Sequence, residues 1–244
     1  MRLRICHLYP DLMDLYGDRG NIITLVKRCN WRGIEVEIVP ISLGQKIDFR
    51  EMDLVFFGGG SDREQGLLFD DLSGRRENLV KAIEDGLVVL AICGGLQLLG
   101  RYYQIPDGTK IPGLEILDLW TIASNKRLIG NVCLEVNLGE GPNSLNTLVG
   151  FENHSGQTHL GQVKPLGKVM RGHGNNGQDG WEGAMYRNVF GTYLHGPLLP
   201  KNPIFTDHLL KLALQRRFGV ASLGLLDDSL ELAAHNYMLN RLTR

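Results

Sequence analysis

A cysteine stands between an unbroken apolar run and two glycines in Leu87-Val88-Val89-Leu90-Ala91-Ile92-Cys93-Gly94-Gly95-Leu96-Gln97-Leu98-Leu99-Gly100. Apolar residues without a polar interruption predict a strand buried on both faces of a parallel sheet. The order strand, tight turn, helix lifts a nucleophile off the top of such a sheet. The glycines permit the turn and let a substrate approach the backbone. The first N–H groups of the next helix favour a thiolate. Most buried cysteines are small core hydrophobes. The Cys-Gly-Gly turn after a strand points instead to Cys93 as a nucleophile.

A thiol nucleophile needs a base and donors for a developing oxyanion. His195 follows a second apolar strand in Val189-Phe190-Gly191-Thr192-Tyr193-Leu194-His195-Gly196-Pro197, and strand ends of one sheet can bring it beside Cys93. Of the other histidines, His7 lies inside the first predicted strand and His208 and His235 fall on terminal helices. His159 and His173 sit in loops with no strand to place them. The expected oxyanion donors are the Gly94 N–H and an N–H of Gly58-Gly59-Gly60, at Gly59 or Gly60.

The elements that must position these groups read as an α/β chain. Strands are predicted at Arg2–Leu8, Glu35–Ile41 and Asp53–Phe57. Amphipathic helices are predicted at Asn21–Trp31 and Arg76–Asp85, the latter closed by Gly86. This β-α-β-α-β opening predicts a doubly wound parallel sheet with its site at the carboxyl ends of the strands. From about Leu114 the pattern changes to short strands (Asn131–Asn137, Leu148–Phe151, Trp181–Tyr186, Val189–Tyr193) between Gly/Asn-rich turns. Two amphipathic helices follow, near Asn202–Arg217 and Leu226–Leu242. No linker or repeat interrupts the chain, so one domain over residues 1–244 is expected.

A net charge of −1 leaves no electrostatic footprint for nucleic acid or an acidic membrane surface. The N-terminus is too short and too broken by charge for a signal peptide, and no run approaches a membrane span. Cys6, Cys29, Cys93 and Cys133 are scattered with no CxxC pair, which argues against a zinc site and a disulfide framework and for a reducing, cytoplasmic setting. Gly172-His173-Gly174-Asn175-Asn176-Gly177 spells a dinucleotide-binding pattern, but no apolar strand feeds it and no apolar helix follows. Gly161 and Gly167-Lys168 miss the phosphate-loop spacing.

The elbow Ala91-Ile92-Cys93-Gly94-Gly95-Leu96-Gln97, the loop Phe57-Gly58-Gly59-Gly60-Ser61-Asp62 and the late His195 resemble the class I (triad-type) glutamine amidotransferases. Leu15-Tyr16-Gly17-Asp18-Arg19-Gly20-Asn21, Gly58-Gly59-Gly60-Ser61-Asp62-Arg63-Glu64-Gln65, Gly150-Phe151-Glu152-Asn153-His154-Ser155-Gly156 and Tyr193-Leu194-His195-Gly196-Pro197 are similar to the GatD-like branch of that family. This branch is related to the amidotransferase domains of cobyric acid synthases. The resemblance implies a flavodoxin-like three-layer fold, a mostly parallel sheet with helices on both faces. It implies that Cys93 attacks the side-chain amide of L-glutamine to form a γ-glutamyl thioester, with His195 moving the protons. Arg127 matches the glutamine-binding arginine of the family, with Lys126 as the alternative. Gln97 would face the substrate, and Asn153 and His154 would line the pocket or shape a turn.

The resemblance further implies a heterodimer with a MurT-like subunit of the Mur-ligase family. That partner would carry ATP and Mg and amidate the D-glutamate of lipid II to D-isoglutamine. No cofactor or metal is expected in this chain, which would work in the cytoplasm, at the inner membrane face through its lipid-linked acceptor. A cobyric-acid-type amidotransferase subunit and a free-standing cysteine γ-glutamyl hydrolase are the alternatives. One departure stands out. Many family members carry a glutamate two positions after the histidine to orient it, and here that residue is Pro197. The missing carboxylate would be another residue such as Asp18, or would come from the partner, which is the expectation adopted here.

Overall fold

The computed structural model describes residues 1–14, 17–60, 62–138, 145–220 and 222–243, with only the backbone of residues 62–65 and 145. Leu15, Tyr16 and Ser61, which belong to the segments compared above, lie outside the described residues. The first part of the chain alternates strands and helices. In order these are β1 (Arg2–Leu8), α1 (Arg19–Asn30), β2 (Glu35–Ile41), β3 (Leu54–Phe57), α2 (Asp62–Ser73), α3 (Arg76–Glu84), β4 (Val88–Ile92) and α4 (Gly94–Leu99). A run of strands follows: β5 (Tyr102–Gln104), β6 (Lys110–Pro112), β7 (Leu119–Leu138), β8 (Leu145–Leu160), β9 (Gly167–Arg171) and β10 (Trp181–Glu182). The chain closes with β11 (Ala184–Tyr186), β12 (Val189–Thr192), α5 (Pro203–Phe218) and α6 (Ser229–Thr243).

Among the described residues, six strands form a sheet in the order β11-β12-β4-β3-β1-β2. All its pairings are parallel except β11 with β12. Side chains alternate between its faces, as a strand requires. Leu3, Ile5, Leu54, Phe56, Val88, Leu90 and Ile92 face one core with α1 and α5. Cys6, Leu8, Val55, Phe57, Val89 and Ala91 face another with α2, α3 and α4. Both faces being covered explains why β3 and β4 are apolar at every position. The order places the carboxyl ends of β4, β3 and β12 side by side, with β4 between the other two.

The late region departs from the expected short strands. β7 spans 20 residues and pairs antiparallel with β8 along most of its length, with an irregularity between Ala123 and Leu128. With β5, β6, β9 and β10 this hairpin builds a second sheet. It returns to the first at an antiparallel bridge between Phe151 and His195. Both terminal helices form within two residues of the predicted starts and one of the predicted ends, except that α6 begins at Ser229.

Candidate active site

Cys93 follows β4 directly and caps α4, with φ 49° and ψ −104°. That is a strained backbone for a residue with a side chain, and it turns the thiol off the sheet. Its N–H donates to the Thr192 carbonyl at 2.8 Å, which ties the elbow to the end of β12. Three residues on, His195 is fully buried. Its N–H donates to the Phe151 carbonyl at 2.7 Å. The sequence-predicted nucleophile and base therefore leave neighbouring strands of one sheet, as their matching strand-end positions suggested.

A third group meets them. Asp18, at the N-terminus of α1, is fully buried, with Oδ1 3.4 Å from His195 Nδ1. Its Oδ2 accepts the Gly59 N–H at 2.7 Å. The convergence can be located at Gly59. A Cβ there would stand 2.9 Å from His195 Cε1, 3.2 Å from Asp18 Oδ2 and 3.6 Å from Cys93 Cβ. Only glycine leaves space for all three. A carboxylate of this chain thus lies beside the imidazole, and it is Asp18, the internal alternative to one from a partner.

The segment Asp18–Asn21 is built for this contact. A Cβ on Gly20 would lie 2.5 Å from Pro197 Cγ, so α1 closes directly onto Pro197, two residues after His195. Asn21 Oδ1 accepts the Leu199 N–H at 2.9 Å and pins the same helix to the loop after His195. Burial works against a charged imidazole, but the hydrogen bonds and charges of Asp18 and Cys93 outweigh it and raise His195 to about 10. The base is therefore pushed toward its protonated form, an imidazolium beside Asp18 and Cys93.

The expected oxyanion set needs one correction. The Gly59 N–H is spent on Asp18 and cannot also face an oxyanion. Gly60 and Gly94 do come together, since a Cβ on Gly94 would lie 3.0 Å from the Gly60 nitrogen. Gln97, expected to face substrate, is buried, and its Nε2 donates to the Tyr193 hydroxyl at 3.0 Å. That hydroxyl also meets Thr158 Oγ1 at 2.6 Å, and Thr158 meets Thr121 at 2.7 Å. Gln97 therefore belongs to a buried polar chain that fastens α4 and β12 to the β7–β8 hairpin.

The hairpin carries the remaining candidates. Arg127 is exposed on β7, and its Nε donates to Asn153 Oδ1 at 2.5 Å. Lys126 beside it is also exposed. His154 is buried and stacks on the Tyr193 ring at 3.7 Å. Its Nδ1 donates to the Gly156 carbonyl at 2.7 Å. Burial, opposed by that bond and reinforced by the nearby His195, lowers it to about 4, so it is neutral at physiological pH.

Sequence reasoning missed Glu182, fully buried on β10. It accepts the Tyr193 N–H at 2.6 Å and the Thr192 hydroxyl at 3.0 Å. Burial raises it to about 8 despite these donors. The glycine-rich turn at 172–177 spends donors on the protein itself, with His173 and Gly174 N–H groups on the buried Glu152 at 2.6 and 2.9 Å. Among the described residues no group of three His, Cys, Asp or Glu side chains is arranged to hold a metal, and no helix is long and apolar enough to cross a membrane.

Residues 4–203 match the CobB/CobQ-like glutamine amidotransferase domain. The chain belongs to that family. This amidotransferase is 44% identical, over 99% of its length and 97% of the relative's, to the GatD subunit of the glutamine-hydrolyzing lipid II isoglutaminyl synthase of Staphylococcus aureus (strain N315). It is 41% identical to the subunit of the same description from Streptococcus pneumoniae (strain ATCC BAA-255 / R6), over 89% of its own length and 83% of the relative's. A probable cobyric acid synthase of Methanothermobacter thermautotrophicus is 31% identical over 85% of this amidotransferase, which spans 42% of that longer protein. A crystal structure of a glutamine amidotransferase superposes with a TM-score of 0.56 at 19% identity, over 85% of this chain and 98% of the other. That likeness supports the fold alone.

Proposed function

We propose that this amidotransferase is the glutaminase subunit of a lipid II isoglutaminyl synthase. The observation that carries the reading is the meeting of Cys93, His195 and Asp18 around Gly59, in a chain resembling GatD subunits over nearly its whole length. In this reading Cys93 Sγ, as thiolate, attacks the side-chain carbonyl carbon of L-glutamine. The oxyanion that forms is held by the Gly60 and Gly94 N–H groups. Collapse breaks the C–N bond, His195 gives its proton to the departing nitrogen, and ammonia leaves a γ-glutamyl thioester on Cys93. His195 then takes a proton from water, whose oxygen attacks the thioester. Collapse breaks the C–S bond and frees glutamate, which restores the Cys93 thiolate beside the protonated His195. Asp18 orients the imidazole and stabilises its charge, as the acid of a catalytic triad does.

Arg127 is assigned to the glutamine α-carboxylate, which a guanidinium recognises through paired N–H donors. Asn153, bonded to its Nε, fixes its direction. The ammonia passes to a MurT-like partner of the Mur-ligase family, which holds ATP and Mg and activates the D-glutamate carboxyl of the lipid-linked acceptor. The cytoplasmic face of the membrane is where such an acceptor would be met.

Since the orienting carboxylate is internal, the isolated chain should hydrolyse glutamine by itself, and the partner should add amidation. The test combines purified chain, a MurT-like ligase, ATP, Mg and lipid II, and follows glutamate release and acceptor amidation separately. Amidation that needs glutamine and Cys93 supports the assignment. Glutamate release without any amidation would return the reading to a free-standing hydrolase. Hydrolysis seen only with the partner present would reassign the orienting acid to the partner.

A further inference from the structure

The loop that carries His195 is held from outside the triad. Gly196 has φ +84°, so the chain turns sharply just after the histidine. The ammonium of Lys201, five residues on, donates to the Gly196 carbonyl. Lys201 is half-buried, and among the described residues it forms no salt bridge, so the carbonyl is its charge-assisted partner. Burial alone shifts this lysine downward, as expected of a cation without a counter-ion. The backbone of Lys201 is fixed in turn. His235 Nδ1 donates to the Lys201 carbonyl at 3.0 Å. With that nitrogen carrying the proton, Nε2 accepts from the Thr147 hydroxyl at 2.9 Å. His235 is the one buried residue among those described on α6. Thr147 lies on β8, the strand that bridges to His195 at Phe151.

We propose that Lys201 is a positioning residue for His195 in glutamine hydrolysis, and that His235 seats it, making α6 part of the support of the catalytic loop. This rests on the glutaminase reading given above. The ammonium fixes the direction of the Gly196 carbonyl, and so the rotation of the Gly196–Pro197 peptide that closes the turn after His195. Without it the carbonyl must find another donor or the turn must relax, and the imidazole moves relative to Cys93. A misplacement of this kind lowers turnover more than substrate affinity, because the α-carboxylate of glutamine is gripped elsewhere.

The experiment measures steady-state glutaminase activity and melting temperature of the full chain for Lys201→Met, Lys201→Arg, His235→Ala and the Lys201→Met/His235→Ala double variant. Lys201→Met should lose about 10- to 100-fold in kcat with KM for glutamine within about twofold. Lys201→Arg, which keeps a cationic donor, should recover most of that loss. His235→Ala should lose less, and should add almost nothing on the Lys201→Met background, since both act through one contact. Unchanged kcat in Lys201→Met, or a loss expressed in KM, overturns the proposal. So does additive loss in the double variant. If Lys201→Met fails to fold, wild-type kcat in His235→Ala overturns it equally, and a lowered kcat at unchanged KM, with a native melting temperature, upholds it. A wild-type chain with no glutaminase activity, alone or with its partner, overturns the functional reading and this inference together. An active wild type with an indifferent Lys201→Met overturns the inference alone.

Discussion

Asp18 uses its two oxygens differently, one facing His195 and the other taking the Gly59 N–H. A carboxylate fixed at both ends cannot rotate away, so it selects the imidazole form with a proton on Nδ1 and leaves Nε2 for the reacting groups. Replacing it by Asn keeps the volume and removes the charge. Asp18→Asn should lower kcat for glutamine hydrolysis by about 10²- to 10⁴-fold with little change in KM. The same change removes the strongest group holding His195 up at about 10, so a ring titration by NMR should show it falling toward the ordinary histidine range. A kcat within threefold of wild type would remove Asp18 from the mechanism. Cys93 and His195 were legible because each stands at the end of an apolar strand. Asp18 was legible only as one alternative to a partner's carboxylate, since an aspartate at a helix start reads as a cap. Nothing local says that it meets a residue near the other end of the chain.

The close approach of α1 to the loop after His195 brings a carboxylate to the imidazole although Pro197 offers none. Gly20 lets the helix touch the Pro197 ring, and that contact delivers Asp18 to the imidazole. Gly20→Ala would put a methyl 2.5 Å from Pro197 Cγ. It should destabilise the fold by about 1–3 kcal/mol and lower kcat more than expected from stability. Pro197→Ala in the same chain removes the clashing carbon and should restore part of both losses, read by denaturation and steady-state kinetics. The parallel strands were legible at this scale because double burial writes unbroken apolar runs. The β7–β8 hairpin was not. Its stretch Ser124-Asn125-Lys126-Arg127 is polar and largely solvent-facing, so it reads as a turn although it continues a strand. The pairing with β8 on either side, at Ala123 and Leu128, carries the strand across it.

The whole molecule joins two sheets, and Glu182 sits at one seam, with its β10 backbone in the second and its carboxylate on Thr192 and Tyr193 of the first. Its folded value of about 8 lies above the ordinary 4.5, so the folded state holds this proton more tightly than the unfolded chain. Stability from this group is full below about pH 4.5 and is lost as pH rises through about 8. Glu182→Gln cannot ionise. Its stability relative to wild type should rise between pH 5 and pH 8.5, by on the order of a few kcal/mol, in urea unfolding at the two values. A constant difference would show that Glu182 does not carry the dependence. The backbone of Cys93 has a consequence of the same global kind. A φ of 49° with ψ −104° suits glycine and burdens any residue with a Cβ. Cys93→Gly should therefore be more stable than Cys93→Ala by about 1 kcal/mol, measured by denaturation, although neither variant has a nucleophile. At this turn the best residue for folding and the residue needed for chemistry are different, so selection for stability alone would erase the thiol.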